Sequence, residues 1–139
     1  MMKEKTIDDI KVGDRAFFSK TITETDLILF AGITGDFAPH HVDAEYAKTT
    51  MFGQRIVHGM LTASIANNVI TQLVSPGSLA LSTEIKYLKP VKIGDTIMFE
   101  GEIEDIIKEK KIVKIKVACK NQKGEIVIDI KAVNIMRIH

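Results

Sequence analysis

The chain has 139 residues, 45% of them hydrophobic, enough to bury one core but too few for two ordinary domains. Its 19 Lys and Arg against 18 Asp and Glu leave a formal charge of +1, so no global field gathers nucleic acid or an anionic membrane, and any anionic ligand must be held locally. The single cysteine, Cys119, excludes an intrachain disulfide framework and points to a cytoplasmic setting, and no stretch of about 18 apolar residues offers a membrane span.

In chain order, MMKEKTIDDIKVGD carries no apolar run behind its basic residues, which predicts a soluble, unprocessed chain. Lys11-Val12-Gly13-Asp14 and Lys92-Ile93-Gly94-Asp95 echo each other, and each is followed by strand-type residues, RAFFSKTI and TIMFEGEI. Both read as turns that launch a strand. Thr23 with Asp26 before LILFAGI is a capped helix start, predicting a short helix from about Glu24 to Gly32. A second short helix is expected over Ala44 to Thr50, with Asp43 at its N-cap.

HGMLTASIANNVITQL, residues 58 to 73, mixes small with apolar residues and reads as one helix buried on most of its surface, ended by the SPG at 75 to 77. Beyond it the period changes to two. Ile115, Val117 and Cys119 alternate with Lys114, Lys116 and Lys120, and Ile126, Ile128 and Ile130 alternate with Val127, Asp129 and Lys131. NQKG at 121 to 124 is a hairpin turn, and KEKK at 108 to 111 reads as another; SLALSTEIKYL and TIMFEGEIEDII are further strands. The expected fold class is α+β: a single domain over residues 1–139 in which an antiparallel sheet wraps around a long central helix.

The chemistry-bearing residues concentrate in GDFAPHHVD, residues 35 to 43. Asp36 and His41 flank Pro39, which together with its effect on the preceding residue argues against a regular helix and lets the two side chains turn toward one point. A carboxylate and an imidazole converging on one water suit acid/base addition of water. Two alternatives stand beside this: Asp36 capping a turn while His41 satisfies a carbonyl, and a metal site built from His40, His41, Asp43 and His58. Adjacent histidines in an extended segment point to opposite sides, and no HExxH or paired-Cys spacing accompanies them. In IVHGM, residues 56 to 60, the Gly59 N–H at the helix start is a candidate oxyanion donor, or a tight helix entry with His58 as a packed cap residue.

GDFAPHHVDAEYA followed by IVHGM and a small-residue helix resembles the MaoC-like (R)-specific enoyl-CoA hydratases of the hot-dog superfamily, whose motif reads approximately Gly-Asp-x-Asn-Pro-apolar-His-x-Asp. The resemblance runs from about Val12 to the end of the strands. It implies that Asp36 and His41 are the catalytic pair activating one water, and that Gly59, with His58 and Asn67 nearby, binds the thioester. It implies addition of water to a trans-2-enoyl-CoA, giving the (R)-3-hydroxyacyl thioester, with coenzyme A as part of the substrate and no metal or redox cofactor. It further implies a homodimer or higher homo-oligomer. Ala38 stands where the family usually has asparagine, and His40 where it usually has an apolar residue. Competing readings are a dehydratase acting on acyl-carrier-protein thioesters, a non-catalytic acyl-thioester-binding module, and a hot-dog thioesterase. The intact Asp36–His41 pair argues against the binding module, and the absence of an acidic residue from 58 to 73 against the thioesterase.

Overall fold

The computed structural model describes residues 2–139. After a short 3-10 turn at Ile7–Asp9 come β1 (Arg15–Thr21), α1 (Glu24–Thr34), α2 (Pro39–Val42), α3 (Ala44–Lys48), α4 (Gly59–Ile65), α5 (Asn67–Val74), β2 (Leu79–Tyr87), β3 (Thr96–Ile107), β4 (Ile112–Lys120) and β5 (Ile126–Ile135). The two K-x-G-D stretches are turns of one design. Asp14 Oδ2 accepts from Lys11 N at 3.0 Å and Asp95 Oδ2 from Lys92 N at 2.9 Å, while Gly13 and Gly94 take φ of 93° and 95°, where a side chain is strained. They launch β1 and β3, which then pair with each other.

All five strands form one antiparallel sheet in the order β1-β3-β4-β5-β2. The period-two reading holds for β4, where Val113, Ile115, Val117 and Cys119 are buried and the intervening lysines face out. These side chains join Ile97, Phe99 and Ile103 of β3 and Val69, Leu73 and Val74 of α5 in one core. Gly101, in the middle of β3, permits that packing: a Cβ there would lie 2.9 Å from Val69 Cγ2 and 3.3 Å from Leu73 Cδ1. The architecture is the expected α+β one.

Three details depart from expectation. The central helix is divided at Ala66, where the backbone stays helical (φ −58°, ψ −21°) but bonding tightens, Ala66 N donating to Ala63 O and Val69 N to Ala66 O, each at 3.2 Å. The Asn67-Asn68 pair that follows has low helix propensity. Ile126 is exposed while its neighbour Val127 is fully buried. The cause is a register shift between Cys119 and Lys120, opposite which the Val127 carbonyl accepts from both Leu88 N (2.9 Å) and Lys89 N (3.1 Å). Finally, Pro39 does not keep its segment out of a helix. Ala38 is extended (φ −54°, ψ 134°), as a residue before proline should be, and Pro39 opens the four-residue turn α2.

The edge strand β2 covers little on either face: Leu79, Leu81 and Tyr87 are all about half exposed, as is the following Leu88. No helix among the described residues is long and apolar enough to cross a membrane.

Candidate active site

Three local structures carry the site. The first is the end of α1. The helix starts at a capping box, Thr23 Oγ1 accepting from Asp26 N and Asp26 Oδ2 from Thr23 N, and ends at Gly35, whose φ of 76° turns the chain back. Asp36 follows directly. Its N–H donates to Thr34 Oγ1 and its Oδ1 accepts from Ala38 N, both at 3.2 Å, so one carboxylate oxygen is tied down and Oδ2 is left to face the site.

The second is α2, which brings His41 inward to 7% exposure. His41 Nδ1 lies 2.8 Å from the Ile56 carbonyl. Since a carbonyl only accepts, Nδ1 carries the hydrogen and Nε2 keeps its lone pair. That Nε2 stands 4.0 Å from Asp36 Oδ2. The gap is too long for a direct hydrogen bond and leaves room for one water oxygen about 2.8 Å from each atom.

The third is the segment leading into α4, which acts as a template for the other two. Ile56 N donates to His40 O at 3.1 Å, Arg55 Nε to His41 O at 2.6 Å, and His58 Nε2 to Asp36 O at 2.9 Å. Arg55 is itself held by a forked ion pair with Glu24 at the start of α1, at 2.9 to 3.1 Å. The His58 ring, 2% exposed, stacks on His41 with centroids 3.9 Å apart, and Phe30 meets it edge-on at 5.1 Å.

Burial is the main cause that holds the His41 imidazole below its ordinary value of 6.5. The Ile56 contact opposes it, His58 and His40 push further down, and Asp36 pulls weakly back up. His41 is thereby kept as a neutral base.

Asp36, His41, His58 and Gly59 share one cleft of about 570 Å³, whose other walls include Met51, Phe52, Met60, Tyr87, Leu88 and Pro90. Its character is mostly apolar, and an acyl chain fits its chemistry. Gly59 is the first residue of α4, so its N–H has no acceptor within the helix. The Tyr87 ring lies close over it; a Cβ on Gly59 would be 2.5 Å from Tyr87 Cε1.

Four of the five site residues expected from the sequence therefore meet. Asn67 does not: it is exposed on the first turn of α5, away from this cleft. Arg55 and Tyr87 were not anticipated. Arg55, the only arginine between Arg15 and Arg137, offered a faint signal as a rare forked donor beside the motif; Tyr87 offered none, because it approaches from a distant strand.

Asp36, His41 and His58 each present a ligand atom within 4.8 Å of the others. Both imidazoles donate their other nitrogen to a backbone carbonyl, as metal-binding histidines often do. The two rings are stacked, with their planes 25° apart.

Comparison with known proteins places the chain in a family. The profile of the MaoC like domain matches residues 11–125. A relative from Rhodospirillum rubrum named (R)-specific enoyl-CoA hydratase is 41% identical over 123 residues, covering 88% of this chain and 85% of its own. A Methylorubrum extorquens protein named 3-hydroxybutyryl-CoA dehydratase is 36% identical over 124 residues, 88% of this chain and 78% of its own. Among solved structures, the unliganded R-hydratase of Pseudomonas aeruginosa superimposes with a TM-score of 0.87 at 34% identity, over 96% of this chain and 86% of that one. The chain belongs to the MaoC-like domain family and has its hot-dog fold.

Proposed function

We propose that this protein is a lyase that adds water to trans-2-enoyl-CoA, giving the (R)-3-hydroxyacyl thioester, and catalyses the reverse dehydration. The observation that carries the reading is the 4.0 Å spacing of Asp36 Oδ2 and His41 Nε2, with the His41 lone pair fixed by the Ile56 carbonyl, at the wall of an apolar cleft. Relatives named for this activity support it.

In the forward direction one water is held between the two groups. His41 Nε2 takes a proton from it as the oxygen bonds to the β-carbon, and the electron pair of the double bond moves toward the thioester carbonyl. The Gly59 N–H would stabilise the resulting oxyanion. The pair then returns a proton to the α-carbon, so the elements of water are added and neither group is changed. No metal or redox cofactor is required. A homodimer or larger assembly completes the reading. The half-exposed β2 edge, with Leu79, Leu81 and Leu88 uncovered and Tyr87 leading into the cleft, supports a second copy seated there. Light scattering at micromolar concentration giving a strict monomer would remove that part. A cytoplasmic setting accords with one buried, unpaired cysteine.

The test is a hydration assay across enoyl-CoA chain lengths, following loss of the conjugated thioester and determining product chirality. Turnover to the (R)-alcohol is expected; tight binding without turnover would refute the assignment.

A further inference from the structure

His58 is buried at the centre of the site, and its position is more demanding than packing requires. A leucine or phenylalanine would fill the same space without burying a ring nitrogen that finds no partner, and His58 Nδ1 is such an atom. What the histidine adds is the other nitrogen. Asp36 is held by Thr34 Oγ1, at the last residue of α1, and by Ala38 N, both within two residues of it, and its loop begins at Gly35, in a left-handed conformation with no neighbour within 4 Å of where a Cβ would sit. The bond from His58 Nε2 to the Asp36 carbonyl is what ties this loop to α4. The same ring lies flat against His41.

We propose that His58 is a positioning residue for hydration: its Nε2–H fixes the Asp36 main chain, and so the place of Oδ2 relative to His41 Nε2, while its ring sets the plane of the His41 imidazole. This rests on the hydratase reading of the site. Misplacement of a reacting group by about 1 Å costs up to about a hundredfold in rate, so the tie matters to turnover more than to binding. A second consequence is electrostatic. The groups facing His41 are Asp36, His40 and His58; Arg55, paired with Glu24, holds its carbonyl, and Lys89 and Tyr87 share the cleft. His58 is one of the neighbours that lower the His41 pKa, so an uncharged replacement lets it rise.

The test compares His58→Gln with His58→Asn. A glutamine amide nitrogen overlays Nε2 and can donate to the Asp36 carbonyl; an asparagine amide is too short. For His58→Asn, kcat on a short enoyl-CoA is expected to fall about tenfold or more with KM within about threefold. His58→Gln should recover kcat to within about threefold of the parent, and the acid limb of kcat/KM should move to higher pH in both. Equal losses in the two variants, a loss carried by KM alone, or an unmoved acid limb would overturn the inference. If His58→Asn does not fold, His58→Leu supplies the variant without a donor. A parent protein without turnover overturns the hydratase assignment, and this inference with it, a result distinct from variants that lose nothing relative to an active parent.

Discussion

Replacing either member of the Asp36–His41 pair should remove most of the turnover and little of the fold. Asp36→Asn keeps an oxygen to accept from Ala38 N but puts an NH2 where Oδ2 faces His41. His41→Asn overlays its amide nitrogen on Nδ1, preserving the bond to the Ile56 carbonyl while deleting Nε2. Each change therefore leaves the anchoring contact and takes away the atom that faces the other member of the pair. General acid/base groups contribute about 100-fold or more, so each variant should lose at least that, about 2.7 kcal/mol of transition-state stabilisation. Because the two atoms stand 4.0 Å apart and Asp36 is half exposed, their direct attraction is worth at most about 1 kcal/mol to folding. If one water is shared, the double variant should be little worse than either single one. The assay is kcat for enoyl-CoA hydration above the acid limb, with thermal melting as the control. Near-parental kcat in either single variant, or losses that multiply in the double, would refute the shared-water reasoning.

Three further predictions follow from particular contacts. The His41 pKa is lowered in the fold, so neutral His41 contributes stability that is present above the ordinary value of 6.5 and is lost as pH falls through the folded pKa; denaturant titrations across that window should show the loss in the parent and less of it in His41→Asn. The Cys119 thiol, pushed up to about 12 by burial and by Asp129, should resist a thiol reagent at neutral pH and react at once in denaturant, and native-state labelling would contradict its placement. Gly101→Ala should lower stability by about 1–3 kcal/mol through overpacking against Val69 and Leu73, read as a lower urea midpoint with hydration kcat unchanged.

Elements set by local chemistry were legible in the sequence. The K-x-G-D turns, the Thr23 cap and the alternation of β4 each depend on neighbours within a few residues, and each forms as expected. Errors arose where a local rule has two outcomes or where the partner is distant. Proline excludes a helix interior but favours a helix start, and position 39 takes the second role. Ile126 follows its alternating pattern on paper, yet a bulge against β4 moves Val127 inward instead. The pairing of Asp36 with His41 was visible from their spacing; what holds His41 through its carbonyl, Arg55 paired with Glu24, and what covers Gly59, the Tyr87 ring, join residues about 30 apart in the chain, which no periodicity records.

The contacts that hold the pair also bear on Ala38 and His40, the two positions that differ from the motif this stretch resembles. Asp36 is oriented by the Ala38 backbone N–H and by its own carbonyl, and His41 by the carbonyl of Ile56 and by Arg55 on its own carbonyl. Main-chain groups supply one partner in each of these bonds, and every amino acid except proline provides both such groups. Exchanging asparagine for Ala38 or an apolar residue for His40 therefore changes side chains without removing an anchor of Asp36 or His41. His40 leaves its trace elsewhere: its ring, 4.0 Å from that of His41, adds to the influences that keep His41 neutral. The difference at 40 thus bears on the protonation of His41, and the spacing of Asp36 and His41 is left to the Arg55–His58 segment.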